Sequence, residues 1–193
     1  MSLSPVKYMI LETMLFIDKP AKAMRIAKEV SKEFPSVMMH IIGLTRLGYI
    51  TSPEKSLYAL TERAKSVLGI PEINEEKAKK ALAEMRQDHS FHFYESIGKP
   101  LGLRAHSLQD FSDKILKVNL DSIEFHESRG DFEAWFAGLG DVELSKKAAL
   151  LKEKKMKGEE LRSKLHEIVE KRCGVLTRMA ERSFLAKSAI SGA

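Results

Sequence analysis

The chain has 193 residues, of which 44% are hydrophobic, and its formal net charge at pH 7 is +5. This composition is typical of a globular protein with one large domain or two small ones. No apolar stretch approaches the roughly 18 residues that a membrane-spanning helix requires, and residues 1–18 lack the basic start and the cleavage site of a signal peptide. The single Cys173 excludes an internal disulfide and fits a reducing compartment. We therefore expect a cytoplasmic protein without a membrane partner.

The charge is unevenly distributed along the chain. Residues 1–70 carry ten Lys and Arg against six Asp and Glu, and residues 71–138 carry nine against thirteen. Residues 139–193 carry thirteen against eight. The two ends are basic and the middle is acidic, so a partner that carries phosphate is expected to prefer the ends.

Three helices are predicted in the first part of the chain. The first covers residues 4–17, since a serine followed by a proline is typical of a helix start. The second covers residues 21–34, where apolar side chains recur at spacings of three and four. Pro35 is expected to break this helix, Ser36 to cap the third helix, and Gly48 to end it.

A hairpin and a fourth helix are predicted next. Residues 49–51 and 57–60 have the composition of short strands, and the polar residues 52–56 between them favour a turn. Thr61 is expected to cap a helix that packs Ala64, Val67 and Leu68 on the core.

The same segment carries a family pattern in Val37, His40-Ile41, Leu44, Gly48-Tyr49-Ile50 and Tyr58-Ala59-Leu60-Thr61. In these residues it resembles the winged helix-turn-helix domain of archaeal and bacterial transcriptional regulators of the MarR or PadR type. The resemblance implies that the third helix enters the major groove of double-stranded DNA and that the hairpin contacts the backbone. It also implies a homodimer that reads two half-sites.

The residues that we expect to contact DNA are Ser36, Met39, His40, Arg46, Lys55, Arg63 and Lys65. The outward positions of the third helix are expected to be Met38, Met39, Ile42, Gly43 and Arg46. Among these five only Arg46 has a side chain that donates a hydrogen bond to a base edge or a phosphate. We therefore predict a DNA-binding transcriptional regulator that binds mainly through backbone phosphates, with little base specificity from this helix.

The third helix also allows a different partner. An exposed face with Met38, Met39 and Ile42 is typical of a contact with another protein, so a protein interaction module is the alternative function. A further alternative is that the rest of the chain covers this face. His40 fits either a phosphate contact or a half-buried packing position.

The second part of the chain is predicted to be mostly helical, with one hairpin. Asn74 is expected to cap a connector helix that ends near residue 88. From residue 89 apolar and polar side chains alternate, which predicts a strand, a turn at residues 97–100, and a returning strand that ends at Ala105. Four later helices begin at residues that favour a helix start: Ser107, Asp121, Asp131 and Asp141. The basic segment 146–182 is predicted to form helices that bury a leucine-rich stripe and expose their Lys and Arg side chains, either as a solvated face or as an arm that binds phosphate or a second copy.

These elements together predict a mainly α chain of the α+β class. The predicted organisation is a winged-helix domain at 1–70, a connector helix at 71–88, a hairpin with helices at 89–182, and a frayed tail at 183–193.

A second family pattern follows the connector. It is carried by Phe91, Phe93, Gly98, Gly102, Ala105, Ser107-Leu108, Ser122-Ile123, Phe125-His126, Arg129, Asp131-Phe132, Trp135, Leu139-Gly140-Asp141, Leu144 and Glu160-Leu161-Arg162. In these residues the chain resembles DUF5752, a family of prokaryotic domains without an assigned activity. This resemblance implies an architecture and no chemistry.

His126, Arg129, Asp131 and Trp135 form a possible ligand site within this pattern. An imidazole, a guanidinium and a carboxylate at short spacing are suited to an anionic ligand or to acid-base chemistry, so an enzyme is the third functional interpretation. The alternative is a structural corner in which Asp131 caps a helix, Arg129 pairs with an acid, and Trp135 packs in the core.

The other sequence motifs do not indicate a metal site or a known catalytic site. His89 and His92 are three residues apart on a predicted strand and so face opposite sides of it, which is unsuited to a shared metal ion. The chain has no glycine-rich phosphate loop, nucleophile elbow or cysteine pair. We therefore predict no metal, no cofactor and no catalytic residue.

Overall fold

The computed structural model describes residues 3–190, with side chains described for residues 3–181. The chain divides into two compact units, with the boundary between Glu72 and Ile73. The described chain is mostly helical and contains two small antiparallel sheets, so the predicted α+β class is confirmed. Among the described helices, none combines the length and the apolar character that crossing a bilayer requires.

The first unit contains α1 (Pro5–Ile17), β1 (Ala21–Lys22), α2 (Ala23–Glu29), α3 (Phe34–Arg46), β2 (Ile50–Glu54), β3 (Leu57–Leu60) and α4 (Glu62–Val67). Its sheet has the order β1-β3-β2, and both pairings are antiparallel. The three longest helices pack together around fully buried side chains: Ile10, Leu11, Ile26, Val37, Ile41 and Leu44. These side chains recur at helical spacing, which is why each helix buries one stripe.

The second helix is shorter than predicted. It begins at Ala23, because Ala21 and Lys22 form strand β1 and pair with β3. It ends at Glu29, and Ser31 follows with φ of 52°, so the chain has turned before it reaches Pro35. Pro35 lies in the first turn of α3, whose N-cap is Glu33. The predictions that Pro35 breaks the second helix and that Ser36 caps the third are therefore wrong. A proline is tolerated in a first turn because its missing N–H would have no helical partner there.

Hydrogen bonds fix the end of α3 to the end of the hairpin. Gly48 ends the helix as predicted, with φ of 75°. The Tyr49 N–H donates to the Leu44 carbonyl at 2.9 Å, and the Thr61 hydroxyl donates to the Gly48 carbonyl at 2.8 Å. Thr61 also accepts the Ala64 N–H, which confirms the predicted cap of α4. The hairpin is thus held at a fixed position beside α3.

Two details of the hairpin and of α4 differ from the prediction. Strand β2 extends to Glu54, so the turn is shorter than predicted. Val67 is 36% exposed and is not part of the core, whereas Ala64 and Leu68 are buried as predicted.

The second unit contains α5 (Glu75–Leu82), β4 (Phe91–Ser96), β5 (Lys99–Ala105), α6 (Leu108–Ile115), α7 (Leu120–Arg129), α8 (Asp131–Gly138), α9 (Val142–Glu153) and α10 (Gly158–Ile190). Strands β4 and β5 form an antiparallel hairpin. Helix α10 packs against α5, α6, α7 and α9, and so lies at the centre of the unit. Its leucine-rich stripe is buried as predicted, at Leu161, Leu165, Ile168, Val169 and Leu176.

Several helix ends differ from the sequence prediction. Helix α5 is capped by Asn74 as predicted, but it ends at Leu82 and packs within the second unit. The N-cap of α7 is Asn119, whose side chain accepts the Ser122 N–H, so the prediction of Asp121 as the helix start is wrong. Helix α10 continues through Ile190, and residues 191–193 of the predicted frayed tail lie outside the described residues.

Two basic side chains of the last helices are not solvated as predicted. Lys147 is 2% exposed and Arg172 is 5% exposed. Each is paired with buried carboxylates, which is the condition under which a charge is tolerated inside a protein. The prediction of an exposed basic face is therefore wrong at these two positions.

Candidate functional site

A cavity of about 370 Å³ lies in the second unit, where the β4–β5 hairpin meets α7. It is lined by Phe91, His92, Tyr94, Ile97, Gly98, Phe125, His126, Arg129 and Asp131. Three of the four residues of the predicted ligand site, His126, Arg129 and Asp131, therefore line one cavity. Its volume lies at the small end of the range of about 300–1,000 Å³ that is typical of small-molecule sites.

His126 is a buried residue that joins the hairpin to the helical corner. Its Nε2 accepts the Tyr94 backbone N–H at 2.8 Å, and its Nδ1 lies 2.7 Å from Oδ2 of Asp131. A backbone N–H only donates, so Nε2 is an acceptor and the ring proton lies on Nδ1, where it is donated to the carboxylate.

The pKa of His126 is lowered from its ordinary value. Burial is the main cause and the charge of Arg129 adds to it, although the Asp131 carboxylate acts in the opposite direction. Protonation of Nε2 would also break the bond from Tyr94. Both ring nitrogens are thus engaged, which fits a role in positioning the site better than proton transfer with a substrate.

Asp131 is the centre of the polar side of the cavity. Its Oδ2 accepts both the His126 bond and a bond from Nε of Arg129 at 3.2 Å. The N-cap of α8 is Gly130, which has φ of 77°, so the prediction that Asp131 caps this helix is wrong. The prediction that Arg129 pairs with an acid is confirmed.

Arg129 projects from the end of α7 at the rim of the cavity, with 49% of its side chain exposed. Its guanidinium carbon lies 5.1 Å from the centroid of the Phe125 ring, within the range of a cation–π contact. Within the described residues, neither of its terminal nitrogens makes a hydrogen bond, and the same holds for Oδ1 of Asp131. Arg129 and Asp131 therefore offer two NH2 donor groups and one acceptor oxygen to a ligand at the rim.

Trp135 lies behind the cavity wall and does not line the cavity. Its indole N–H donates to the His89 carbonyl at 3.1 Å, and its ring contacts Phe91 and Phe111. It belongs to an aromatic cluster that supports the floor of the cavity. Trp135 is half-buried, which agrees with its predicted packing role more closely than with ligand binding.

The sequence did not indicate the hairpin side of the cavity. His92 and Tyr94 come from β4, about 30 residues before His126, and only the folded hairpin places them opposite α7. The strand alternation at Phe91 and Phe93 was the available signal, because it indicated which side chains enter the core. Among the described residues, no group of three or more His, Cys, Asp or Glu side chains is arranged to hold a metal ion.

The residues predicted to contact DNA all lie in the first unit, on α3, the hairpin and α4. Most are exposed: Ser36, Met39, Arg46, Lys55 and Arg63. His40 and Lys65 are half-buried. On α3, Met39 is 75% exposed and Ile42 is 41% exposed, as expected for outward positions. Met38 and Gly43 are half-buried, so the prediction that they face outward is wrong; Met38 packs toward the hairpin, where its Sδ accepts the Tyr58 hydroxyl. The half-buried position of His40 leaves both of its interpretations open.

The basic residues of this set differ in their surroundings. Lys65 forms an ion pair with Glu62 at 3.1 Å. The Arg63 guanidinium lies over the Tyr49 ring, at 5.1 Å from its centroid, and beside Gly48 at the end of α3. Within the described residues, Arg46, Lys55 and Arg63 have no acidic partner, so their charges are available to a ligand.

A model of a family described as "Family of unknown function (DUF5752)" matches residues 65–170. The match runs from α4 into α10 and includes the cavity and both strands of its hairpin. No curated protein and no solved structure matches the chain. Because the match covers more than half of its residues, the chain belongs to the DUF5752 family, whose function is unknown.

Proposed function

We propose that the first unit is a winged helix-turn-helix domain that binds double-stranded DNA, and that the protein is a cytoplasmic transcriptional regulator. The order of its elements supports this proposal, since α2 and α3 are followed directly by a two-stranded hairpin. In such domains the second helix of the pair enters the major groove and the hairpin lies against the backbone. Here α3 would be the helix in the groove.

The observation that carries the proposal is the set of unpaired cations around α3 and the hairpin. Arg46 ends α3, Arg63 lies beside Gly48 at the same end, and Lys55 lies in the hairpin turn. Each side chain is exposed and free of an acidic partner within the described residues. Cations in these places are suited to phosphates on either side of a groove.

The exposed face of α3 supports phosphate binding more than base recognition. Met39 and Ile42 have no side-chain donor or acceptor that would distinguish one base pair from another, although their apolar atoms would contact thymine methyl groups. The domain should therefore bind many sequences with similar affinity. A homodimer is part of the proposal, because two such domains would read half-sites about 34 Å apart.

A second candidate function rests on the same face. The side chains of Phe34, Met39 and Ile42 on α3 are all exposed, and exposed apolar residues of this kind are also typical of protein contacts. In that case α3 would bind a partner protein, and removal of the cations would have little effect.

The proposal is tested by the salt dependence of DNA binding. Fluorescence anisotropy would measure the affinity of the full chain for unrelated short duplexes between about 50 and 200 mM salt. The logarithm of the association constant should fall with that of the salt concentration, by about 0.9 per phosphate contacted. In the triple variant Arg46→Ala, Lys55→Ala, Arg63→Ala, the slope should therefore decrease by roughly 2.7 if each cation contacts one phosphate.

A matched control removes the same charge elsewhere. Lys99, Lys117 and Lys157 are exposed residues of the second unit, and their triple alanine variant should keep the salt slope of the unchanged protein. Absence of binding at the lowest salt concentration would contradict the proposal. Equal losses in the two triple variants would also contradict it, since the effect would then come from net charge alone.

A further inference from the structure

The cavity of the second unit carries one cation and one carboxylate in direct contact. Nε of Arg129 is bonded to Oδ2 of Asp131, while the terminal nitrogens of the guanidinium and Oδ1 of the carboxylate remain without bonds within the described residues. The two unused groups therefore lie next to each other at the rim. Arginine uses such a pair of N–H groups to bind a carboxylate in a bidentate manner.

The charge balance of the rim limits the ligand. Burial and the Tyr94 N–H, which occupies Nε2, keep His126 neutral, so Arg129 and Asp131 leave the polar side of the cavity close to neutral. A simple anion would be attracted by Arg129 and repelled by Asp131. A simple cation would be attracted by Asp131 and repelled by Arg129. A ligand that carries both charges, separated by a single carbon atom, satisfies both groups at once.

The remaining walls are mostly apolar or aromatic, with the His92 imidazole among them. Phe91, Phe125 and Tyr94 contribute rings, and Ile97 stands at the hairpin tip with 81% of its surface exposed. The volume of about 370 Å³ suits a small molecule. We propose that this cavity binds an α-amino acid with an apolar side chain, its carboxylate on Arg129, its ammonium group on Asp131 and its side chain against the rings. All of these lining residues belong to the second unit, so the proposed site does not rest on DNA binding by the first unit.

The test is calorimetric titration of the full chain with a series of related ligands. L-phenylalanine and L-leucine present both charges and an apolar side chain, so at least one of them should bind. 3-Phenylpropionate lacks the ammonium group, and phenethylamine lacks the carboxylate. The affinity of each should be lower than that of L-phenylalanine by a factor of about ten or more, because each loses a charged hydrogen bond. Glycine should also bind more weakly, since it has no side chain for the apolar walls.

A variant tests the position of the site. Arg129→Gln should weaken binding of the best amino acid by about tenfold or more. Because the Arg129 side chain is half-exposed, this variant should fold, and Trp135 fluorescence would verify it. The control is Arg86→Gln, which changes an exposed arginine of the same unit outside this cavity and should leave the affinity unchanged.

Three results would overturn the proposal. The first is the absence of binding by both apolar amino acids at millimolar concentration. The second is binding of 3-phenylpropionate as tight as that of L-phenylalanine, which would make the cavity a simple carboxylate site. The third is unchanged affinity in folded Arg129→Gln, which would place the ligand elsewhere.

Discussion

The Arg172 guanidinium donates from Nε to Oδ2 of Asp141 at 2.6 Å, and the two side chains are 5% and 0% exposed. The same guanidinium reaches Glu143 at 3.0 Å, and Glu143 lies 2.9 Å from Lys147. In the described part of the chain, these two acids and two bases form one buried cluster inside the second unit. Since Asp141 also caps α9, this cluster fastens the start of α9 to the middle of α10.

Replacement of Arg172 should therefore strongly destabilise the second unit. Arg172→Ala removes the buried cation that contacts Asp141 and one of the cations that contact Glu143, and loss of one member of a buried ion pair costs about 3–5 kcal/mol. Urea unfolding followed by Trp135 fluorescence measures this effect, since Trp135 is the only tryptophan and lies in this unit. Arg178→Ala, at an exposed position of the same helix, should change the free energy of unfolding by less than about 0.5 kcal/mol. If Arg172→Ala lowers the free energy of unfolding by less than about 1 kcal/mol, the cluster does not contribute strongly to the stability of the second unit.

Glu127 should make the stability of the second unit depend on pH. Its side chain is buried, and Oε1 has no hydrogen-bond partner among the described residues. Burial, with a further contribution from the charge of Glu133, raises its pKa from 4.5 to about 7. Between these two values the unfolded chain has released the proton that the folded chain still holds. The free energy of unfolding should therefore fall as pH rises from 4.5 to 7, by about 3 kcal/mol in total.

The variant Glu127→Gln removes this ionisation. Its free energy of unfolding should vary less than that of the unchanged protein between pH 4.5 and 7. The stability of the variant relative to the unchanged protein should therefore be highest above pH 7. Urea titrations at a series of pH values, read by Trp135 fluorescence, provide the comparison. Glu84→Gln is the control, because Glu84 is exposed. Parallel pH profiles for Glu127→Gln and the unchanged protein would refute the assignment.

Cys173 should be unreactive while the protein is folded. It is 3% exposed on α10, and burial, together with the charges of Glu170 and Asp141, raises the pKa of its thiol to about 12. The thiolate is the reactive form, so a disulfide reagent such as DTNB should label the thiol only when the unit unfolds. In denaturant the reagent should detect one thiol per chain. Rapid labelling of the folded protein at neutral pH would contradict this prediction.

Addition of a cation to α3 should strengthen DNA binding. Met39 is 75% exposed in the middle of the proposed groove-facing surface. In Met39→Lys the new ammonium should contact a phosphate, which would raise the affinity at low salt and increase the salt slope by about 0.9. Ile97→Lys adds the same charge at an exposed position of the second unit and should not change the slope. An unchanged slope in Met39→Lys would favour the protein-contact function of this face.

The correct predictions from sequence concern local relationships. The caps at Thr61, Asn74 and Asp141 each involve a side chain and an N–H group three residues later, so the sequence contains both partners at a fixed spacing. The buried stripes likewise follow from apolar side chains three and four residues apart. The errors at Pro35 and Asp131 have a common cause. Each residue type is suited both to the boundary before a helix and to its first turn, and the spacing of residues along the chain does not distinguish these two positions.

The sequence by itself determined the approximate positions of the helices, the two hairpins and the α+β class, because these depend on side chains within about one helical turn or one strand. It did not indicate strand β1, which forms only by pairing with the distant β3. It also indicated His126, Arg129 and Asp131 as a group, since they lie close along the chain. Only the tertiary structure decided which hydrogen-bonding groups of these residues remain available to a ligand. The bond from Tyr94 engages His126 across 32 residues, and Arg172 reaches Asp141 across 31. Such contacts determine the protonation state and the burial of these side chains. They depend on which distant segments pack together, and the spacing of residues along the chain does not specify that packing.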